Sequence, residues 1–481
     1  MYLYYLDVQL LTLGMPKHSK QKHRHKTRVK NLRSAPRSAR PGKPRKRDEF
    51  GFVAAFKHML GGSRLPAVGR RRGRKPQVPL RELLPALVFH CMNSVGTVAE
   101  HARLLFGRSL AESSWSDRRA HLPWMVFAEL MRLALWPLAD AKKNAAAFWR
   151  GWRLVALDGT QFSHTNTPQI KATARKARSR RGRAAFAKIT AGVLLELGLH
   201  NPLAAAIGRG GQSEWALAIA LLAALPKGAL LLADRLHGCA AFAALALDAC
   251  ERAGSHFLFR ARTQIQVRVI RRLADGSRLI QLPVREKGNP RTITRWLELR
   301  EIRVRVARRG HRAVEMRLWT SLLDIKTAPA RELAALYAKR WEHELYYREL
   351  KRTLRKNEVL QSHTVESGAQ EIAALVLASA MIARQRQRAA GGAAPVLRMS
   401  FAKTLALMLP LWLLLEVGGD LLSEEQKRKL TARLLRSIRD AATRPRKVPR
   451  SCPRAVRRPV SGWPRLRKNT SHQGPVSLTL L

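Results

Sequence analysis

Acidic residues are scarce in this chain of 481 residues: 33 Asp and Glu stand against 90 Lys and Arg. The formal net charge is +57, and the isoelectric point is near 11.7. A chain so short of negative charge is drawn to polyanions, most simply nucleic acid, by neutralising phosphates and releasing counterions. An anionic membrane surface is the weaker electrostatic alternative. Charge alone carries neither sequence specificity nor chemistry. Cysteine is also rare. Cys91, Cys239, Cys250 and Cys452 form no C-x-x-C pair, which argues against zinc ribbons and dithiol redox motifs and fits a reducing compartment. Long apolar runs are missing too. The two longest, 372–383 and 404–417, fall short of the roughly 18 uncharged residues of a membrane span, and Pro410 interrupts the second. The N-terminus, Met1 to Asp7, has no basic stretch ahead of an apolar one, so no signal peptide is expected. Met15, which opens the basic region, is an alternative start. The expected location is cytoplasmic, on the nucleoid.

What is present is enough for a real core. The hydrophobic fraction is 46%, and the length suits two to four domains. Residues 16–48 hold fourteen Lys or Arg and one acid, Asp48, without apolar periodicity. Residues 442–481 mirror them, with ten Lys or Arg, no acid and six prolines. Both read as disordered basic tails, suited to contacting DNA backbone or simply solvated. The expected division is a basic arm at 1–49, a helical DNA-binding domain at 50–145, an α/β domain at 150–385, a helical region at 386–441 and the tail at 442–481. Within the helical domain, residues 50–62 read as a short helix and 70–75 as a charged linker. Leu80 to Leu138 is mostly helical, with Ser113, Ser114 and Ser116 as candidate N-caps.

The pattern then changes. Leu154 to Leu157 is a strand-like run that ends at Asp158-Gly159-Thr160. Ile189 to Leu197 is another. Ala229 to Ala233 is a third and ends at Asp234. Trp215 to Leu225 and Phe242 to Ala253 read as helices, and His256 to Phe259 as a strand. Strands alternating with helices predict an α/β core with a central sheet. Residues 263–322 switch to period-two patterning with an Asp275-Gly276 turn, which predicts a β-rich insertion at about 260–325. Helices resume at Ala330, and 369 to about 440 is helical.

Three acids stand out. Carboxylates at strand ends of an α/β sheet sit at the rim where ligands bind, which singles out Asp158 and Asp234. Both also fit plain turns or helix caps. The third is Glu344. On a continuous helix Tyr337, Arg340, Glu344 and Lys351 would project within roughly 60° of one another, giving a carboxylate flanked by cations and a phenol. That stripe suits a metal ion facing a phosphate, and it equally suits an exposed salt-bridged face. Three carboxylates together would hold hard divalent cations. Two such ions can activate a nucleophile and stabilise a leaving oxygen in phosphodiester chemistry. Residues 171–188 hold eight Lys or Arg and no acid; they read as a DNA-contacting loop or a generic solvated one. His237 and His343 flank the acids, with supporting or surface roles expected.

The order Asp158, Asp234, Glu344, with a β-insertion before the glutamate, resembles the DDE transposases, whose core is RNase H-like. The spacing Tyr337-x2-Arg340-x3-Glu344-x6-Lys351 is similar to the signature of the bacterial insertion-sequence-four family. Asp158-Gly159-Thr160, Ala233-Asp234-Arg235, Leu318 to Leu323, Arg340 to Glu344, Leu345 to Leu354 and Leu360-Gln361-Ser362 agree with it, so the resemblance covers roughly 80–440. One departure is local. The family often has Arg-Gly-aromatic after the second aspartate, whereas Arg235-Leu236-His237-Gly238 follows here.

The resemblance implies a transposase in which Asp158, Asp234 and Glu344 coordinate two Mg²⁺ ions, with Mn²⁺ able to substitute. DNA would be nicked at the element end, and the freed 3′-hydroxyl would attack the opposite strand and later the target. Tyr337, Arg340 and Lys351 would hold phosphates beside a displaced base, with Arg348 and Arg235 as further DNA contacts. Arginine forks grip phosphate bidentately and lysine acts as a point charge. Trp296 and Trp319 are candidates for the base pocket or for plain packing. The implied partners are double-stranded DNA, as terminal inverted repeats and target, and a second copy in a paired-end complex. The alternatives are a non-catalytic basic DNA-binding protein and an RNase H-like nuclease without strand transfer.

Overall fold

A computed structural model describes residues 50–65, 76–174, 176, 178–179, 182–308, 313–355, 357, 359–443 and 476–481. The basic arm, the 70–75 linker, Cys452, most of the 442–481 tail and parts of the basic loop within 171–188 lie outside the described residues.

Five helices come first: α1 (Phe52–Met59), α2 (Leu80–Met92), α3 (Val98–Phe106), α4 (Glu112–Ala120) and α5 (Trp124–Ala134). A capping box starts α3. Thr97 Oγ1 accepts from the Glu100 amide at 3.2 Å, and Glu100 Oε2 accepts from the Thr97 amide at 2.7 Å, so two orphan donors are satisfied at once. The expected caps Ser113, Ser114 and Ser116 lie inside α4, which begins after Ala111 without a side-chain cap. A tertiary contact helps fix that start: Glu112 Oε2 accepts from the Ala99 amide on α3 at 3.1 Å.

The core follows as β1 (Phe148–Trp149), β2 (Trp152–Ser163), α6 (Pro168–Thr173), β3 (Arg178–Ser179), β4 (Gly182–Arg183), β5 (Lys188–Glu196), β6 (Asn201–Ile207), α7 (Glu214–Leu222), β7 (Ala229–Ala233), α8 (Ala240–Ala253) and β8 (His256–Arg260). The sheet order is β6-β5-β2-β7-β8, antiparallel from β6 to β2 and parallel from β2 to β8. This is the RNase H-like α/β core expected from the chain. Alternation along the strands feeds two cores. Leu154, Ala156, Leu230 and Leu232 join a cluster that also holds the N-terminal helices. Val155, Leu157, Leu231 and Ala233 point the other way, into a cluster with residues of α7 and α8.

The insertion comprises β9 (Arg268–Arg272), β10 (Arg278–Glu286), β11 (Asn289–Arg308) and β12 (Val314–Thr320). It forms no separate sheet. β12 pairs antiparallel with β8, Trp319 opposite Phe259, and extends the core sheet outward. Its base is fixed by two buried charge groups. Glu301, fully buried, accepts from Arg317 Nε at 2.7 Å and Trp319 Nε1 at 3.2 Å and also pairs with Arg278 and Arg303. Arg300, also fully buried, donates to Ser277 Oγ at 2.8 Å and the Ala328 carbonyl at 2.6 Å and pairs with Asp275.

The chain closes with α9 (Ala330–Leu336), α10 (Glu342–Arg348), α11 (Val365–Ala390), α12 (Phe401–Val417), α13 (Glu424–Asp440) and β13 (Val476–Leu480), which pairs antiparallel with β11. Helix α11 is long and apolar enough to cross a membrane by composition, yet most of it is buried against the sheet and the N-terminal helices. Arg119 on α4 reaches its start, donating to Ser362 Oγ at 2.9 Å and to the Ser367 carbonyl at 2.7 Å. The same apolar cluster runs from Phe52 on α1 to Ile438 on α13, so N-terminal helices, sheet face and C-terminal helices share one core.

Candidate active site

The parallel pairing of β2 with β7 ends at Leu157 opposite Ala233. Asp158 and Asp234 therefore lie side by side where that pairing ends. They arrive there differently. Strand β7 stops, and Asp234 opens a turn, as its position in the sequence suggested. Strand β2 does not stop. Its antiparallel partner β5 stays paired from Asp158 opposite Val193 to Ser163 opposite Lys188, so Asp158-Gly159-Thr160 is strand and not the expected turn. Hydrogen bonding to β5 overrides the local turn preference of Asp-Gly.

Asp158 is the more constrained carboxyl. Its Oδ1 accepts from the Gly159 amide at 2.9 Å, and its backbone carbonyl accepts from Tyr347 Oη at 2.7 Å. Burial, followed by the nearby Asp234 charge, pushes this carboxyl up to about 7, against the pull of the Gly159 amide and Arg340. Asp234 is shifted the other way. Burial acts to raise it but is outweighed by His237, whose Nδ1 lies 2.9 Å from Oδ1, by the Leu236 amide at 2.8 Å and by Arg340. Two adjacent carboxyls driven apart in this way mark crowded negative charge.

The turn after Asp234 accommodates the departure at Arg235-Leu236-His237-Gly238. The His237 amide bonds the Asp234 carbonyl at 3.2 Å. A Cβ on Gly238 would come within 1.9 Å of the Arg260 carbonyl, so the chain needs its glycine at this place. His237 is fully buried, and so is His343, neither of whose ring nitrogens finds a partner. Both are interior supports of the site.

Glu344 lies on α10, across an arginine from the aspartates. Arg340 donates from Nη2 to Glu344 Oε1 at 2.9 Å and from Nη1 to Asp158 Oδ2 at 3.3 Å. The guanidinium thus ties the third acid to the first. The segment is no regular helix. Tyr337–Trp341 is a 3₁₀ turn, Glu342–Arg348 is α-helix, and Glu349–Leu354 is a π turn. The single stripe expected for Tyr337, Arg340, Glu344 and Lys351 is accordingly split, as π turns inside helices often do near functional sites. Tyr337 is buried and donates to the Ala233 carbonyl at 3.2 Å, which clamps the 3₁₀ turn onto the end of β7. Lys351 turns toward β2 and donates to Thr160 Oγ1 at 2.5 Å and the Gln161 carbonyl at 2.8 Å. Burial, with Arg355 and Lys188 nearby, lowers it to about 8. Arg235 and Arg348 are exposed.

The two tryptophans that fit either a base pocket or plain packing differ in burial. Trp319 is fully buried, with its indole N–H on Glu301. Trp296 is 47% exposed but lines a groove with Trp152, Ser255 and His256, at the amino end of β2 and β8. Six residues of strand separate Trp152 from Asp158, about 20 Å. The exposed ring beside the site is Trp341, at 57%, next to Arg340 in the chain.

One acid at the site was not singled out from the sequence. Glu214, the first residue of α7, places Oε1 3.2 Å from the Gly159 amide and contacts the Asp158 carboxyl. Burial raises this carboxyl as well, and the Asp234 charge adds to the shift. Its only signal was an acid following Ser213, which reads as an ordinary helix start.

As they stand, no three His, Cys, Asp or Glu side chains are close enough to hold a metal ion among the described residues. The donor chemistry nonetheless suits a hard divalent cation: crowded carboxylates, one of them reluctant to ionise, with Arg340 filling the gap. Movement of that guanidinium onto a phosphate would leave the carboxylates for a cation.

Residues 149–381 match the transposase DDE domain family. Over 241 residues the chain is 29% identical to "Transposase InsG for insertion sequence element IS4" of Escherichia coli (strain K12). The match takes in 49% of this chain and 53% of that protein, so the chain spans about half the length of the curated relative. By these two matches the chain is similar to the DDE transposases of the insertion-sequence-four type.

Proposed function

We propose that this chain is a cut-and-paste transposase that cleaves DNA at the ends of its element and joins the freed 3′ ends to a target, with Asp158, Asp234 and Glu344 as its catalytic acids. The observation that carries the reading is the register: Asp158 and Asp234 each follow the last pair of β2 and β7, Leu157 opposite Ala233, and Arg340 ties Asp158 to Glu344. The three acids would hold Mg²⁺, two ions in the full site, or Mn²⁺ in its place. When bound, such ions supply Lewis acidity to phosphoryl oxygens and lower the pKa of water.

The protein's own residues would do the rest. Arg340 is held as a counter-ion between two carboxylates and is positioned to transfer its fork to a phosphate. Lys351, lowered to about 8, regains full charge against a phosphate and would grip the strand beside β2. Arg348 and Arg235, exposed at the rim, would add backbone contacts. Tyr337 serves by clamping the 3₁₀ turn to β7, since its hydroxyl is buried on Ala233. The net charge of +57 draws in both element ends and target DNA, the ends being brought together by two copies of the chain.

The test uses a duplex carrying the element's terminal repeat. Asp158→Asn, Asp234→Asn and Glu344→Gln should each abolish Mg²⁺-dependent cleavage and leave DNA binding within a few-fold of wild type. Cleavage at the wild-type rate by any of the three would refute the assignment of that residue. A wild-type protein that binds its ends but fails to cut them in any divalent metal would refute catalysis altogether.

A further inference from the structure

Asp158, Asp234 and Glu344 have roles in the reading above, and a fourth carboxyl group contacts Asp158 at the same rim. The fourth, Glu214, is not an incidental neighbour. It is carried on a different element, at the first turn of α7, whose start is fixed by Ser213 Oγ accepting from the Ala216 amide at 3.2 Å. Its side chain crosses β2 directly over Gly159. A Cβ built on Gly159 would lie 2.2 Å from Glu214 Cγ and 2.4 Å from its carboxyl carbon, so the missing side chain in the strand is the space that Glu214 occupies. The Gly159 amide serves both acids, Asp158 Oδ1 at 2.9 Å and Glu214 Oε1 at 3.2 Å. Both carboxyls are thereby directed at one point.

Its charge environment differs from that of Glu344. Glu344 and Asp158 share Arg340, whereas Glu214 has no arginine or lysine partner among the described residues. It faces Asp234 and His237. His237 is fully buried, its Nδ1 is on Asp234, and its Nε2 has no partner. A carboxylate held against two others without a cation is costly unless a cation arrives. In a chain with so few acids, one placed here by a glycine made to fit has a ready purpose.

We propose that Glu214 is a fourth carboxylate of the site, taking part with Asp158 and Asp234 in holding a divalent cation. The inference rests on the proposed function, since it assumes that this rim takes up such an ion. Glu214 would approach from the α7 side, sharing the Gly159 amide with Asp158 Oδ1, while Arg340 covers Oδ2. Removing it would weaken the ion's hold without touching the family's three acids.

The test is Mn²⁺ binding to the full-length protein in the absence of DNA, followed by calorimetry. Glu214→Gln should weaken Mn²⁺ binding about tenfold or more, the range seen when supporting groups of metal sites are removed. Gly159→Ala gives an independent route, because the new Cβ displaces the Glu214 side chain while leaving the amide in place. It should weaken binding to a similar degree, and the double variant should be no weaker than either single one. Glu214→Gln binding Mn²⁺ within twofold of wild type, while the wild type binds, would overturn the role of Glu214 and leave the proposed function standing. Additive losses in the double variant would also overturn it. Failure of the wild-type protein to bind Mn²⁺ at all would sink the metal-site reading and Glu214 with it.

Discussion

Replacing Asp158 by asparagine should make the metal-free protein more stable at neutral pH while destroying its proposed chemistry. The carboxyl has an ordinary value of 3.8 and sits at about 7 in the folded chain, driven up by burial and by Asp234. The unfolded chain ionises it near 4, so the folded form binds this proton more tightly. Stability therefore falls as pH rises from near 4 through about 7, and levels off above. The gap corresponds to about 4 kcal/mol at about 1.4 kcal/mol for each tenfold change in proton affinity. Asp234 is held below its ordinary range, and a coupled pair returns part of that cost, so a net gain of about 2 kcal/mol is the conservative expectation. With one core running from Phe52 to Ile438, that is a rise in Tm of roughly 2–3 °C. The asparagine amide is neutral, so it removes the repulsion from Asp234 while still accepting the Gly159 hydrogen bond. The assay is thermal or urea unfolding in EDTA from pH 5 to 9. Wild type should lose stability across pH 5 to 8 relative to Asp158→Asn, and the gap should be widest at pH 8. Millimolar Mg²⁺ should narrow the gap by stabilising wild type alone. An asparagine variant no more stable than wild type at pH 8, or one with the same pH slope, would refute the reasoning.

Glu301→Gln should destabilise the protein by about 3 kcal/mol, because it strips the shared counter-ion from Arg278, Arg317 and Arg303 at a fully buried position; hydrogen exchange in β10 to β12 should accelerate first, and unchanged exchange there would contradict the anchoring role. Lys351→Gln should weaken binding to duplex DNA and lower the salt dependence by about one counterion, read by titration at several salt concentrations; an unchanged slope would place Lys351 off the DNA. Tyr337→Phe should cost about 1 kcal/mol of stability and barely alter DNA affinity, since its hydroxyl is spent on Ala233; a tenfold loss of affinity with normal stability would show that the phenol reaches the strand.

Much of this site could be read along the chain because strand ends are local events. Ala229 to Ala233 is a five-residue apolar run, and Asp234 stops it, so the sequence alone places that carboxylate at a rim. Asp158 was located for a partly mistaken reason. Asp-Gly signals a turn, yet the pairing that carries β2 onward comes from β5, across a connection that no local pattern reports. Strand β6 was passed over because Asn201-Pro-Leu-Ala-Ala-Ala-Ile207 has little β propensity; its place beside β5 comes from tertiary pairing. Helical spacing put four residues of the Tyr337 to Lys351 segment on one stripe, but it assumed a uniform pitch. The 3₁₀ and π turns change what each side chain meets, and they depend on contacts such as Tyr337 with Ala233. Glu214 could not be read at all. Its meaning lies in Gly159, and only the folded sheet brings the two together.

Strand β13 gives the order of assembly a visible consequence. Val304 on β11 pairs with Leu480, and Arg308 with Val476, so part of one edge of β11 waits for residues translated long after it. At about 5–20 residues per second, that wait lasts on the order of ten to thirty seconds. During it the edge from Val304 to Arg308 is an open template for any extended chain nearby, including the same edge on another nascent copy. Arg303 at its start and Arg305 along it, both exposed, repel a second copy of themselves. The charge that draws this protein to DNA would therefore also keep its unfinished chains apart.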